Sequence, residues 1–370
     1  MKYNFRKTAD DECSLKGRVG SITATHLNGW AIYTRDLTQN VTLAIRVNSE
    51  TVGKVVATSP RADLKAREIH PTGHCGYIFR LETPLAPGDR VEVVDASSGR
   101  HLNGSPATYQ PNPDVAAWRQ RRRENKTRGI GDDFKFFFVH IPKTAGTSIR
   151  HMFYELFDQD EIFPNMEMLQ VYGGYPPVDV LLALSEEEKK SITLFMGHYP
   201  LALHRLLGPE VHKLVFLREP ISRAVSHLNH LKNFDLKYRD LPLTQVYDLE
   251  RSQMMNFQVK MMVNDKIITD SLGEKTVVRN EKDMLNHAEN NLSTCEFVGI
   301  TEQLSESVEL MSRMYGFNIG QDSRFDTRLN VTHRKQPIPD ELLAQIREDN
   351  ELDCQLYNKG VALLQQRIEK

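Results

Sequence analysis

The chain has 370 residues, of which 40% are hydrophobic and 26% charged, and its formal net charge is −2. That length is enough for two or three hydrophobic cores, and the composition excludes a fibrous, collagenous or disordered chain. A charge this close to zero excludes a surface that grips nucleic acid as a whole, so any anion has to be met by local clusters of Lys and Arg.

The first residues, MKYNFRKTADDEC, have neither an apolar core nor a small-residue cleavage site, so they do not read as a secretory signal. No apolar run in the chain approaches the ~18 residues of a membrane span, so stable membrane insertion is not expected. From residue 17 to about 105 the pattern is β. Val41, Leu43, Ile45 and Val47 alternate with polar or small residues, Asn48-Ser49-Glu50 supplies a turn, and Val52 to Val56 read as the returning strand. Further short strands fit Gly29 to Tyr33, Tyr77 to Leu81 and Arg90 to Val94, with Pro84, Pro87, Gly88 and Asp89 between them. Short strands at this spacing predict a small all-β, sandwich-like domain over residues 1–105. Residues 106–133 read as a Pro/Arg-rich linker, with Pro106, Pro111 and Pro113 followed by WRQRRRENKTRG from Trp118 to Gly129. The basic run can grip a polyanion or simply form a solvated helix. A divider of this kind predicts that the β domain is separable, and that a chain starting near Thr127 still folds.

From Phe134 the period changes. FKFFFVHI reads as a buried strand, and Ile149, Met152, Phe153, Leu156 and Phe157 then share one helical face. The unit repeats at LVFL, residues 214–217, followed by Ile221, Ala224, Val225, Leu228 and Leu231. A third strand, CEFVGI, ends at Ile300, and one long helix is expected from Pro339 to about Leu364. Alternating strands and helices predict a parallel α/β sheet flanked by helices over residues 134–370.

The first strand runs into HIPKTAGTSIR, residues 140–150. A strand, a tight loop and a helix start gather backbone N–H groups and a positive dipole end at one point, which suits a phosphate. Gly146 lets the backbone come close to an oxyanion, Thr144, Thr147 and Ser148 offer hydroxyls, and Lys143 offers a mobile cation. The alternative is that the hydroxyls only cap the helix. The order is not that of a Walker A loop, in which Lys follows the second Gly. No acidic residue stands at a later strand end for Mg²⁺, so a nucleotide without a catalytic metal fits better. In VFLREPISRAVSHL, residues 215–228, Arg218 ends a strand, Pro220 suits a first helical turn, and Ser226 lies two turns on. Arg218 and Ser226 can bind a phosphate together, or Arg218 can pair with Glu219 or another carboxylate.

HIPKTAGTS and FLREPISRAVSHL, in this order, resemble the two nucleotide loops of sulfotransferases that use 3′-phosphoadenosine-5′-phosphosulfate (PAPS). The likeness covers about residues 134–368 and is greatest to the family 2 group that includes heparan sulfate 2-O-sulfotransferase. The resemblance implies a P-loop-like domain that needs no metal. It implies that Lys143, Thr144, Ala145, Gly146, Thr147 and Ser148 hold the 5′-phosphosulfate and that Arg218 and Ser226 hold the 3′-phosphate. A glycan hydroxyl would be the acceptor and adenosine 3′,5′-bisphosphate the nucleotide product. The family carries a catalytic histidine in a Gly-His dipeptide, which falls on His198 in FMGHYP, and an imidazole titrates in the right range to take the acceptor's proton. His140, His204 and His227 are rivals for that role, as is a carboxylate. Arg334 and Lys335, in NVTHRKQPIP, are candidate contacts to the nucleotide or an anionic acceptor, and Asn256 and Gln258, in MMNFQVKMM, are candidate acceptor contacts. Golgi members of the family have an N-terminal anchor; its absence from this sequence gives the expectation of a cytoplasmic enzyme of bacterial type. Two other readings stay open: a P-loop kinase or phosphotransferase, and a non-catalytic carbohydrate-binding protein.

Overall fold

The computed structural model describes residues 15–111, 113–127, 134–208, 210–263, 280–316 and 338–369. The chain divides into two units, one made of residues 1–111 with 166–174, the other of 112–165 with 175–370. Among the described residues no helix is long and apolar enough to cross a membrane.

The first unit holds the strands β1 Leu15–Ile22, β2 His26–Tyr33, β3 Thr42–Val47, β4 Glu50–Val56, β5 Ser59–Pro60, β6 His74–Arg80, β7 Arg90–Asp95 and β8 Ala107–Thr108. They form two antiparallel sheets, in the orders β1-β2-β6-β5 and β4-β3-β7-β8. The hairpin between β3 and β4 turns at Asn48 and Ser49, with φ of 51° and 72°. Two successive left-handed residues make a turn whose twist matches the strands. Leu27, Ala31 and Tyr77 from one sheet and Leu43, Ile45, Val91 and Val93 from the other share one buried core, which makes the sandwich. The unit is not purely β, however. It includes the short helix Ala62–Ala66, and it recruits the helix Met166–Val171 from far along the chain. Within it, Asn28 Nδ2 points at Met166 Sδ from 3.9 Å.

The second unit is built on a parallel sheet of β9 Lys135–Val139, β10 Ile162–Phe163, β11 Leu194–Gly197, β12 Val211–Leu217 and β13 Phe297–Ile300, in the order β10-β11-β9-β12-β13. Phe136, Phe137, Phe138 and Val139 are all buried, the unbroken apolar pattern of a strand covered on both faces. From the central β9 the chain winds first to β10 and β11 on one side, then to β12 and β13 on the other. The reversal leaves a crevice beyond the carboxyl end of β9, where such sheets hold ligands.

The Pro/Arg-rich stretch is not linker throughout. Residues Pro113–Thr127 form a helix of the second unit. Trp118 is buried there, edge-on to Phe157 at 5.4 Å, and its indole N–H donates to the Tyr315 carbonyl at 3.1 Å. Arg119 pairs with Asp158, and Arg122 makes a two-pronged pair with Glu161 at 2.9 Å. Those two arginines are engaged inside the unit rather than offered to a polyanion. The expected single C-terminal helix is two, Asp340–Asp349 and Glu351–Ile368, broken at Asn350. The break lets the buried Asn350 reach back to the Ile346 carbonyl with Nδ2 and receive the Asn256 N–H on Oδ1.

Candidate active site

Three segments leave the sheet at the same edge. Val139 pairs in register with Gly197 on one side and Val215 on the other, and all three strands run parallel. His140, His198 and Arg218, each next after a strand's last residue, are therefore brought to one end of the sheet although the sequence separates them widely.

The loop after β9 rises through Lys143 and Ala145, whose φ values are 72° and 64°. The helix Gly146–Leu156 then starts with no side-chain cap. The Thr144 hydroxyl, buried, donates to the Ile141 carbonyl at 2.9 Å. It braces the loop and leaves the first N–H groups of the helix open to an anion. Gly146 has a further reason to be glycine. A Cβ there would stand 1.8 Å from His140 Nε2, so the histidine ring occupies the space a side chain would take. Ser148, half-buried, lies in the first helical turn, as does Thr147.

Arg218 is held on several sides. The Gln258 side chain clamps its backbone, accepting from its N–H at 3.0 Å and donating to its carbonyl at 2.8 Å. Its Nη1 donates to the Lys143 carbonyl at 3.0 Å, which ties the two nucleotide-type loops together. Glu302 is a carboxylate partner, 3.8 Å from Nε. Glu219 instead caps the helix Pro220–Phe234, accepting from Ile221 and Ser222 N–H at 3.0 and 2.7 Å. A carboxylate thus already fills that helix start, which leaves side chains such as Arg218 and the half-buried Ser226, two turns in, as the donors there.

The histidines divide by what they touch. His198 Nδ1 lies 2.6 Å from the His140 carbonyl. A carbonyl only accepts, so Nδ1 carries the proton and Nε2 keeps its lone pair. His198 is exposed at the sheet edge, with the His140 and Tyr175 rings packed beside its own. Desolvation by the protein around it, opposed by the His140 carbonyl and reinforced by Arg150, pushes its pKa down to about 4. His140 is buried and meets the Tyr175 hydroxyl at 2.6 Å through Nδ1. His227 is pushed down to about 3 by burial, with Arg223, His230, Lys143 and His198 all adding to the effect. His204 bonds the Leu201 carbonyl within its own turn. Lys143 is driven down to about 8, first by burial and then by Arg218. So many cations and neutral imidazoles pressed together suit an anion, which would relieve their mutual repulsion. Among the described residues no group of three or more His, Cys, Asp or Glu is placed to hold a metal ion.

Asn256 is buried with φ at 47°, and its Oδ1 accepts from the Leu352 and Asp353 N–H groups at 3.1 and 3.2 Å, which commits that oxygen to the start of the last helix. Arg334 and Lys335 lie outside the described residues. Sequence reasoning took Gln258 for an acceptor contact rather than a clamp on Arg218, gave Arg150 no role although it ends HIPKTAGTSIR, and missed Tyr175, which lies in no motif.

The chain matches the family model described as the sulfotransferase family over residues 129–359, more than half its length. No curated protein and no solved structure matches it. The matched region spans the whole parallel sheet and all three segments of the site, and the chain belongs to the sulfotransferase family.

Proposed function

We propose that the enzyme transfers the sulfuryl group of PAPS to a hydroxyl of a glycan, with His198 as general base. The observation that carries the reading is the bond from Arg218 to the Lys143 carbonyl, which joins a 5′-phosphosulfate-type loop to a 3′-phosphate-type loop. The donor, when bound, supplies the sulfuryl group and a bisphosphate leaving group. The residues fit such an anion: an uncapped helix start, a desolvated lysine and an arginine lie together. His198 takes the acceptor hydroxyl's proton at Nε2, the hydroxyl oxygen forms the new S–O bond, and the old S–O bond to phosphate breaks. Lys143 and the helix N-terminus take up the negative charge on the departing phosphate. His198 gains basicity when an anion fills the loop, because the anion offsets the positive charges that depress its pKa. The resemblance of the two loops to the heparan sulfate 2-O-sulfotransferase group suggests a polysaccharide acceptor.

Calorimetry with adenosine 3′,5′-bisphosphate, then transfer from radiolabelled PAPS to a panel of glycans, tests the reading. Binding of the bisphosphate well ahead of ADP and label on a glycan are expected. No preference over ADP, or turnover that requires Mg²⁺ and ATP, would favour a kinase instead. In His198→Ala, kcat should fall about a hundredfold or more with bisphosphate affinity kept.

A further inference from the structure

Tyr175 stands against both histidines of the sheet edge. Its hydroxyl meets His140 Nδ1 at 2.6 Å, and its ring packs edge-on to the His198 ring, with centroids 4.7 Å apart and planes 72° apart. The His198 and His140 rings are themselves 4.7 Å apart. The next residue is anchored by the neighbour of His198: the buried Tyr199 hydroxyl donates to the Pro176 carbonyl at 2.8 Å. The pairs 175–176 and 198–199 therefore hold each other at two points, ring to ring and hydroxyl to carbonyl. The Arg150 guanidinium lies 6.0 Å from the Tyr175 ring centre.

We infer that Tyr175 is the positioning residue of the base: its ring sets the plane of His198, and its hydroxyl anchors His140, whose carbonyl fixes the His198 tautomer. An imidazole on a strand end can rotate about two side-chain bonds, and one ring flip exchanges Nδ1 with Cδ2 and Nε2 with Cε1. The His140 carbonyl rejects the flipped ring, which would turn a C–H toward it, and the edge of Tyr175 restricts the tilt. The His140 backbone is tied to the Gly197 carbonyl through its N–H at 2.9 Å, and its ring gives the residue a second hold. That ring is wedged against Gly146 on one side and bonded to Tyr175 on the other. Tyr175 needs no direct part in proton transfer. Burial also drives its hydroxyl pKa upward, so it stays protonated.

This inference rests on His198 as base, and the test separates the two. Turnover is measured for Tyr175→Phe, Tyr175→Ala and His198→Ala, with calorimetric affinity for adenosine 3′,5′-bisphosphate and nitrogen NMR of the His198 ring. Phe keeps the edge packing and loses the hydroxyl, so kcat should fall about tenfold, and in Ala about a hundredfold, with bisphosphate affinity within about twofold. The His198 signals should show one tautomer, Nδ1–H, in the unaltered protein and a mixture in both Tyr175 variants. If Ala does not fold, Phe decides alone. Unchanged kcat and a single tautomer in Phe would overturn the role of Tyr175, as would a parallel loss of kcat and bisphosphate affinity. Unaltered turnover in His198→Ala would instead remove the base itself.

Discussion

The Nδ1–H of His198 donates to the main-chain carbonyl of His140 across 2.6 Å, binding the end of β11 to the end of β9. One bond thereby links the proposed base to the loop that carries Lys143.

Lys143→Ala should lower turnover about a hundredfold, since losing a cation at a developing oxyanion costs about 3 kcal/mol. The lysine also sets a pH dependence. Its pKa in the free protein is pushed down to about 8, and an anion prefers it charged. Binding of the bisphosphate should therefore take up a proton and weaken as pH rises through about 8, by up to about tenfold per unit above it. Calorimetry in two buffers of different ionisation enthalpy reads the proton uptake. An affinity flat from pH 7 to 9.5 would place Lys143 away from the anion.

Arg218→Ala should remove about 2 to 4 kcal/mol of affinity for adenosine 3′,5′-bisphosphate. Because Arg218 also donates to the Lys143 carbonyl, adenosine 5′-phosphate should weaken too, but only by about 1 kcal/mol, the usual worth of one hydrogen bond. Lysine should rescue little, since it lacks the planar fork. Equal losses for the two nucleotides would make Arg218 a brace for the loop and nothing more.

Gly146→Ala separates local propensity from packing. In a helical first turn, alanine is ordinarily favourable by up to about 1 kcal/mol. Here its Cβ would meet the His140 ring, so a destabilisation of about 1 to 3 kcal/mol is expected, with kcat lost through the displaced His140. Denaturant melts and kcat together check it. A more stable, fully active variant would show that the ring moves aside freely.

Truncation should respect the helix Pro113–Thr127. A chain starting at residue 134 loses the buried Trp118 and bares Phe157, a loss on the scale of about 3 to 5 kcal/mol. It should melt far lower than one starting at 112. The longer chain should keep bisphosphate binding but lose kcat, because the helix Met166–Val171 is then without its sandwich and Tyr175 follows only a few residues later. Full turnover in the 112 chain would mean that the sandwich does nothing for the base.

What the sequence determined by itself was local in origin. Periodicity marked the strands at 41–56 and 134–141, because alternation and unbroken apolar runs reflect which faces are covered. The loop at 140–148 and Arg218 were legible because a strand end, a glycine and a helix start lie within a few residues of each other. What tertiary structure decided was everything that needed distant residues to meet. Asn256 read as an acceptor contact, and only the fold shows its Oδ1 receiving the Leu352 and Asp353 N–H groups at the start of the last helix. The arginines at 119 and 122 looked free until Asp158 and Glu161 came beside them. Tyr175 carries no motif at all; only the parallel register of β9 and β11 brings two histidines, 58 residues apart, within reach of one tyrosine.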